Sequence, residues 1–514
     1  KRKSVVSCIL AGSLILGGTQ VWAATLHYND SSLTGGAEAW NQWTTQWDSV
    51  ANDYTYVSLT PGGAASELNF AWYNEGSEGT PVVYFGTDPN NLQAYNGTYD
   101  HVDSSLTNGR IFCNNYVTVT GLQENTTYYY SVNKSGVITA PQEYRTGSFS
   151  NVNILYFGDP QVGASTGQPQ GEGELTNDSG AANTAARNDG FAWDRTLDIA
   201  LAQNPNVNFA ISAGDQVNKT GQAKEEEYAA YLSASGLRSL PVATTIGNHD
   251  SLNPDYSYHF NNPNPTGLGM TQAGGDYYYS YGPGLFIVLN TNNYNVAEHE
   301  QAIQKAIENF PDTAWRIVTI HQDIYGSGLD HSDTDGMILR TQLTPIFDKY
   351  DIDVVLQGHD HTYSRSKILY GDGQTHNSYE FRLNEAGDDY DWDNAYNVAT
   401  GEQIGLYPEE GDAAGQAALD AFAQDNHCYT IESAGEMTVT DPLYMTANSA
   451  SGSKYYELIS AQQDYIANRS QNWLPSYSII NLTANDFKIT TYQITDSGSV
   501  ETIDNTFTIH KTAV

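Results

Sequence analysis

The chain has 514 residues, 39% hydrophobic and 16% charged, with 60 acidic against 22 basic side chains and a net charge of −38. That length holds two or three domains, and the 37 Tyr and 9 Trp exclude a disordered chain. So few basic residues exclude a nonspecific nucleic-acid binder and leave no attraction to anionic membrane surfaces.

The N-terminus carries Lys1-Arg2-Lys3, an apolar run over 5–16, and Val21-Trp22-Ala23 before Ala24. This is a secretory signal pattern, with 1–23 as the cleaved segment. The run is shorter than the ~20 residues that span a bilayer, and no later segment predicts stable membrane insertion. The expected location is secreted or extracytoplasmic. Cys113 and Cys428 are expected as free thiols, although an extracellular disulfide is permitted.

From 24 to 149 the pattern is β. Runs at 54–59, 67–73, 81–85, 116–119 and 127–132 alternate apolar and polar residues, and turn clusters such as Pro61-Gly62-Gly63 separate them. Short strands at this spacing predict an antiparallel sandwich. The segment VTVTGLQENTTYYY, 117–130, resembles the F-strand corner of a fibronectin type III domain. Nothing in this region suggests chemistry.

The grammar changes near 151. Apolar strands at 152–157, 207–213, 241–246, 315–320 and 352–357 alternate with helical patterns at 188–203, 225–235, 296–309 and 338–349. That alternation predicts a largely parallel sheet covered by helices. Residues 367–426 are polar and acidic and read as a surface insertion with its own small structure. β-patterning returns at 428–432, 443–447, 477–482, 487–494 and 506–510, predicting strands that complete a second sheet of the same domain.

Each of the five strands runs into polar residues of one kind. They are Gly158-Asp159, Gly214-Asp215, Gly247-Asn248-His249-Asp250, His321 and Gly358-His359-Asp360-His361. In α/β sheets, sites form beyond the carboxyl ends of strands. Asp, Asn and His are the oxygen and nitrogen donors suited to Mn, Fe or Zn. Six such donors exceed what one Zn needs and fit two metals sharing a bridging carboxylate. A single Gly-Asp turn says little; the joint pattern, always after a strand, is specific.

Residues 151–365 resemble the calcineurin-like metallophosphoesterases, and the fuller likeness is to their purple acid phosphatase branch. There the last motif continues as in His361-Thr362-Tyr363-Ser364-Arg365. The resemblance implies an α+β multidomain chain, with an N-terminal all-β sandwich (24–149) followed by a four-layer α/β/β/α metallophosphoesterase domain (150–514). It implies two divalent or trivalent ions, Fe, Mn or Zn. Asp159 and His361 would hold the first ion, Asn248, His321 and His359 the second, and Asp215 both. His249 would sit beside the phosphate as electrophile or leaving-group acid. His331 matches a further phosphate-contacting position, against the plainer reading of a solvated loop histidine.

One departure is informative. The branch places an iron-ligating Tyr three residues after the bridging Asp, where this chain has Asn218. The wider superfamily uses a His two residues after the first Asp, where this chain has Gln161. Asn218, Gln161 or water is left to complete the first ion's ligands. The expected protein is colourless and favours divalent ions.

The leading expectation is a secreted hydrolase that cleaves small phosphate monoesters by attack of a metal-bound hydroxide. A phosphodiesterase or nucleotide-pyrophosphate hydrolase on the same site is the alternative. A cell-surface binding protein with a vestigial site is the reading from a different class.

Overall fold

The computed structural model describes residues 36–165, 184–329, 335–385, 390–431 and 442–511. The predicted signal segment 1–23 and His331 lie outside the described residues. Among the described residues, no helix is long and apolar enough to cross a membrane, and Cys113 and Cys428 are free thiols.

The sandwich forms where the alternation predicts it. One sheet orders Ser58–Pro61, Glu67–Glu75, Phe112–Thr120 and Thr98–His101. The other orders Gln93–Asn96, Val82–Gly86, Thr127–Lys134 and Val137–Ile138, with Gln142–Arg145 also paired to Thr127–Lys134. Every second residue of a strand points inward, so Leu68, Phe70 and Trp72 meet Val83, Phe85, Tyr128 and Tyr130 in one core. The Tyr128 hydroxyl accepts the N–H of Gln123 at 2.8 Å and closes the corner ahead of its strand.

The stretch ahead of the sandwich departs from the β expectation. Gly36–Asn52 is a helix. Trp40, Trp43, Trp47 and Val50 recur at three- and four-residue intervals, which is a helical stripe. Trp47, Val50 and Ala51 pack into the core that also holds Trp193, Tyr228 and Tyr231, so the helix covers the second domain. Trp40 meets Phe191 edge-on at 5.3 Å. Trp43 donates to the Arg187 carbonyl at 2.7 Å.

The second domain has two sheets, as the four-layer expectation requires. The first orders Val242–Thr244, Phe209–Ser212 and Val152–Phe157 in parallel, then Ser476–Leu482, Asp486–Ile494 and Val500–His510 antiparallel. The second runs Tyr277–Tyr281, Gly284–Val288, Trp315–Thr319, Val354–Gln357, Leu443–Thr446, Tyr363–Gly371 and Tyr429–Ile431. Its four strands from Gly284–Val288 to Leu443–Thr446 are parallel. The last three strands of the chain therefore extend the first sheet, because Val152 sits opposite Leu482.

Alternation within the apolar strands builds the layers. Ile154 and Tyr156 face the space between the sheets, with Ile317, Leu356 and Met445. Leu155 and Phe157 face outward to Trp193 and Leu197 of helix Thr184–Gln203 and Tyr228 of helix Glu225–Leu232. On the far side Ile287, Val318 and Val355 meet Ile303 of helix Val296–Asn309 and Leu339 and Leu343 of helix Asp335–Lys349. The order is helix, sheet, sheet, helix.

Within 367–426, strands Tyr379–Glu380, Asn394–Asn397 and Gln403–Gly405 and helix Ala413–Asp425 enclose Phe381, Ile404 and Phe422. This small core rests on Ile338 of helix Asp335–Lys349. The two domains are joined by part-buried hydrogen bonds. Thr60 and Asn69 both donate to the Asn261 carbonyl at 2.7 Å, and Tyr130 donates to the Arg238 carbonyl at 2.7 Å.

Candidate metal centre

The loops after five parallel strands, three in one sheet and two in the other, converge at the carboxyl edge. They bring together Asp159, Asp215, Asn248, His249, His321, His359 and His361. Four of these have left-handed backbones: Asp159 at φ +40°, Asp215 at +50°, His359 at +69° and His361 at +44°. Non-glycine residues adopt this region at a cost and only where the surroundings enforce it. Two glycines allow the close approach. A Cβ on Gly214 would lie 2.4 Å from His321 Nδ1, and one on Gly247 would lie 1.9 Å from Asp215 Oδ1.

His321 is the hub. Its Nδ1 donates to the Ala213 carbonyl at 2.8 Å, which leaves the Nε2 lone pair facing the site. Around Nε2 lie Asn248 Oδ1 at 2.9 Å, His359 Nδ1 at 3.1 Å and Asp215 Oδ2 at 3.3 Å. Donors bound to one Zn at ~2.0–2.1 Å in a tetrahedron stand about 3.3–3.4 Å apart. The ligand atoms of Asp215, His321 and His359 all fall within 4.8 Å of one another. Such a cluster of two imidazoles, an amide oxygen and a carboxylate suits a cation. The ligand candidates Asn248, His321, His359 and Asp215 could together hold one ion here.

The other edge is built from Asp159 and His361. The Asp159 Oδ2 accepts the His359 N–H at 2.8 Å. Its Oδ1 is buried with no hydrogen-bond partner and stands 3.6 Å from His361 Nε2. His361 donates from Nδ1 to the Lys454 carbonyl at 2.8 Å, so Nε2 again carries the lone pair. An unpartnered buried carboxylate oxygen beside an imidazole lone pair fits a second cation. Asp159, His361 and the shared Asp215 would hold it.

The electrostatics agree with this. Burial pushes the Asp159 carboxyl well above its usual range, against the pull of His321. Burial acts the same way on Asp215, but His321, His249 and His359 outweigh it and hold that carboxyl low. For His321, burial is outweighed by the Asp215 and Asp159 carboxylates, which push the imidazole up to about 10. Without a metal ion, a proton on His321 supplies the positive charge that the carboxylates demand.

His249 is oriented by a group that adjacent-residue reasoning cannot find. Its Nδ1 is held by the Asn218 carbonyl, and its main-chain N–H donates to Asp215 Oδ1 at 2.9 Å. Asp250, the sequence neighbour, instead accepts the Gly247 N–H at 2.9 Å and Gln216 Nε2 at 2.7 Å, and so ties two ligand loops together. Burial and the Asp215 charge push Asp250 up to about 7. Burial lowers the His249 imidazole, and the Lys454 ammonium adds to the effect against Asp215.

Sequence reasoning missed three contributors. Lys454 stands at the site, where its ammonium lies over the Tyr456 ring at 4.7 Å and acts on both His249 and His361. Lys224 is fully buried and donates to the His249 carbonyl at 2.8 Å. Glu227 accepts the N–H groups of Asn218 and Lys219 at 2.9 and 2.8 Å. The signal for Lys454 was its rarity, a lone base in a Ser- and Gly-rich loop of an acidic chain. Lys224 and Glu227 carried none beyond a helix start.

Residues 152–363 match the calcineurin-like phosphoesterase family, and residues 54–149 match the purple acid phosphatase N-terminal domain. The chain carries a calcineurin-like phosphoesterase domain behind a purple acid phosphatase N-terminal domain. An uncharacterized protein of Mycobacterium tuberculosis is 22% identical over 340 residues, 60% of this chain and 61% of that protein. The match thus spans about three-fifths of that curated relative's length. The Fe(3+)-Zn(2+) purple acid phosphatase 12 of Arabidopsis thaliana is 41% identical over 59 residues, 12% of each chain. The purple acid phosphatase PPD1 of yellow lupin (Lupinus luteus) seeds shares the fold, with a TM-score of 0.51 and 13% identity over 88% of this chain and 74% of its own.

Proposed function

We propose that the chain is a secreted hydrolase of small phosphate monoesters that works with two metal ions. The observation that carries this reading is the set of donors around His321 Nε2, at 2.9, 3.1 and 3.3 Å, beside the unpartnered Asp159 Oδ1. Two ions held there would supply positive charge and a water of lowered pKa.

The protein's own groups do the rest. Asp215, at the junction of the two donor sets, fixes their separation. His249 is tethered at Nδ1, so Nε2 is the position that exchanges a proton. A phosphate dianion beside the ring raises its proton affinity, and the proton taken up at Nε2 is the one a departing alkoxide needs. The Lys454 ammonium adds charge for the equatorial phosphate oxygens. Little covalent work falls to side chains in such a transfer. The charge of −38 disfavours long polyanions, and small esters are repelled less at extracellular salt. The signal-like pattern over 1–23 supports export.

The test is hydrolysis of p-nitrophenyl phosphate and its bis-ester, after chelation and again after returning Mn, Zn or Fe. Metal-restored turnover that favours the monoester, and that is lost in Asp215→Asn, is expected. Preference for the bis-ester would move the assignment to a phosphodiesterase. A folded protein that binds no metal and turns over neither ester would leave the binding-protein reading.

A further inference from the structure

The Asp159–His361 edge has fewer protein donors than its neighbour, and Gln161 follows Asp159 by two residues. Gln161 is 1% exposed, and its Oε1 is buried with no hydrogen-bond partner. Its Nε2 donates to Asn218 Oδ1 at 3.1 Å. An amide whose nitrogen is pinned presents its oxygen on the other side. The backbone of Gln161 is equally fixed. Its N–H donates to the Asp215 carbonyl at 2.8 Å, and its φ is +34°. Asp159, two residues earlier on the same turn, also carries an unpartnered buried oxygen, Oδ1. Native interiors rarely leave such acceptors unsatisfied. Two on one turn, one of them 3.6 Å from an imidazole nitrogen, suit a cation.

We propose that Gln161 is a metal ligand through its amide oxygen, completing the site of Asp159, Asp215 and His361, and that Asn218 orients this amide without ligating. The assignment rests on the two-metal reading above. The opposite arrangement, with Asn218 Oδ1 on the metal, would leave the buried Gln161 Oε1 still unsatisfied. The resulting donor set is two carboxylates, one neutral amide oxygen and one imidazole. Carboxylate and carbonyl oxygens suit Mn(II), whereas a second imidazole would move the site towards Zn(II). That donor set contains no phenolate to hold ferric iron.

Metal counting tests this without reference to turnover. Chelated protein is titrated with Mn(II), and bound equivalents are measured by elemental analysis after desalting, with circular dichroism to verify folding. The parent is expected to bind two equivalents. Gln161→Leu should keep one at parental affinity and lose at least about tenfold in affinity for the other, with Asn218→Ala losing less. Gln161→His should bind two equivalents with the weaker site shifted towards Zn(II). Two equivalents at parental affinity in folded Gln161→Leu would overturn the assignment and leave a water on Oε1. A larger loss in Asn218→Ala than in Gln161→Leu would overturn it in favour of Asn218. A parent that binds no metal would instead sink the two-metal reading itself.

Discussion

Lys224 is the buried cation that links the domain core to His249. It caps the start of helix Glu225–Leu232 and is fully buried. Its ammonium donates to the carbonyls of His249 at 2.8 Å, Thr220 at 2.9 Å and Lys219 at 3.2 Å, and stands 3.7 Å from Asp255 Oδ1. Lys224→Met keeps the volume and removes all of these donations. Hydrogen bonds to a charged group contribute about 1.5–3 kcal/mol each, but the three are not additive and the ammonium no longer has to be desolvated. Stripping one partner from a buried charged cluster costs about 3–5 kcal/mol. Asp255 can shed its own charge, since burial already pushes its carboxyl well above the usual range against the pull of Lys224. The expected loss is therefore at the lower end, about 3 kcal/mol. Urea unfolding followed by tryptophan fluorescence measures it. The variant should also turn over phosphate esters more slowly while keeping its metal, because no metal-facing donor touches Lys224. Adding Asp255→Asn should recover part of the stability. A variant within about 0.5 kcal/mol of the parent, the range of ordinary surface changes, would refute the reasoning.

Lys454→Met should raise KM for a phosphate monoester about tenfold, the worth of one charge-assisted contact, with a smaller change in kcat. The difference from the parent should shrink as salt is added, and a salt-independent KM would count against a role in anion recognition. Burial pushes the Glu227 carboxyl up to about 8, so the folded state holds its proton where the unfolded chain has lost it. Stability should therefore fall as pH rises from about 4.5 to 8, and the thermal midpoint of Glu227→Gln should fall less steeply over that window; parallel slopes would exclude this origin. Trp47 is 5% exposed among residues of the second domain. Trp47→Ala should destabilise that domain by about 3–5 kcal/mol, and an unchanged calorimetric trace would show that the helix is dispensable.

What the sequence determined by itself is local. The strand Val152–Phe157 and the helix Val296–Asn309 match the predicted spans because their signals are short-range: β-branched and aromatic runs, and apolar residues at three- and four-residue spacing. The candidate donors were legible for a related reason. A strand's end fixes where the next few residues go, so a Gly-Asp, Gly-Asn-His or Gly-His-x-His after each strand declares a shared edge without knowledge of strand order. The helix Gly36–Asn52 was also legible in its tryptophan spacing, but the β-rich segment that follows masked it. The hairpin of Tyr277–Tyr281 and Gly284–Val288 is marked by little more than a tyrosine run and a Gly282-Pro283 turn.

Tertiary structure alone decided the rest. Which strands pair is set by burial across the whole chain, so Ser476–Leu482 lies against Val152–Phe157 although more than three hundred residues separate them. The group that orients His249 is a main-chain carbonyl, which has no side-chain identity to read. The orientation of Gln161 follows from one hydrogen bond to Asn218, made only after two loops from neighbouring strands have met. Composition and spacing specify which atoms a site can contain. Packing specifies which of those atoms are left without a partner, and those are the ones free to bind.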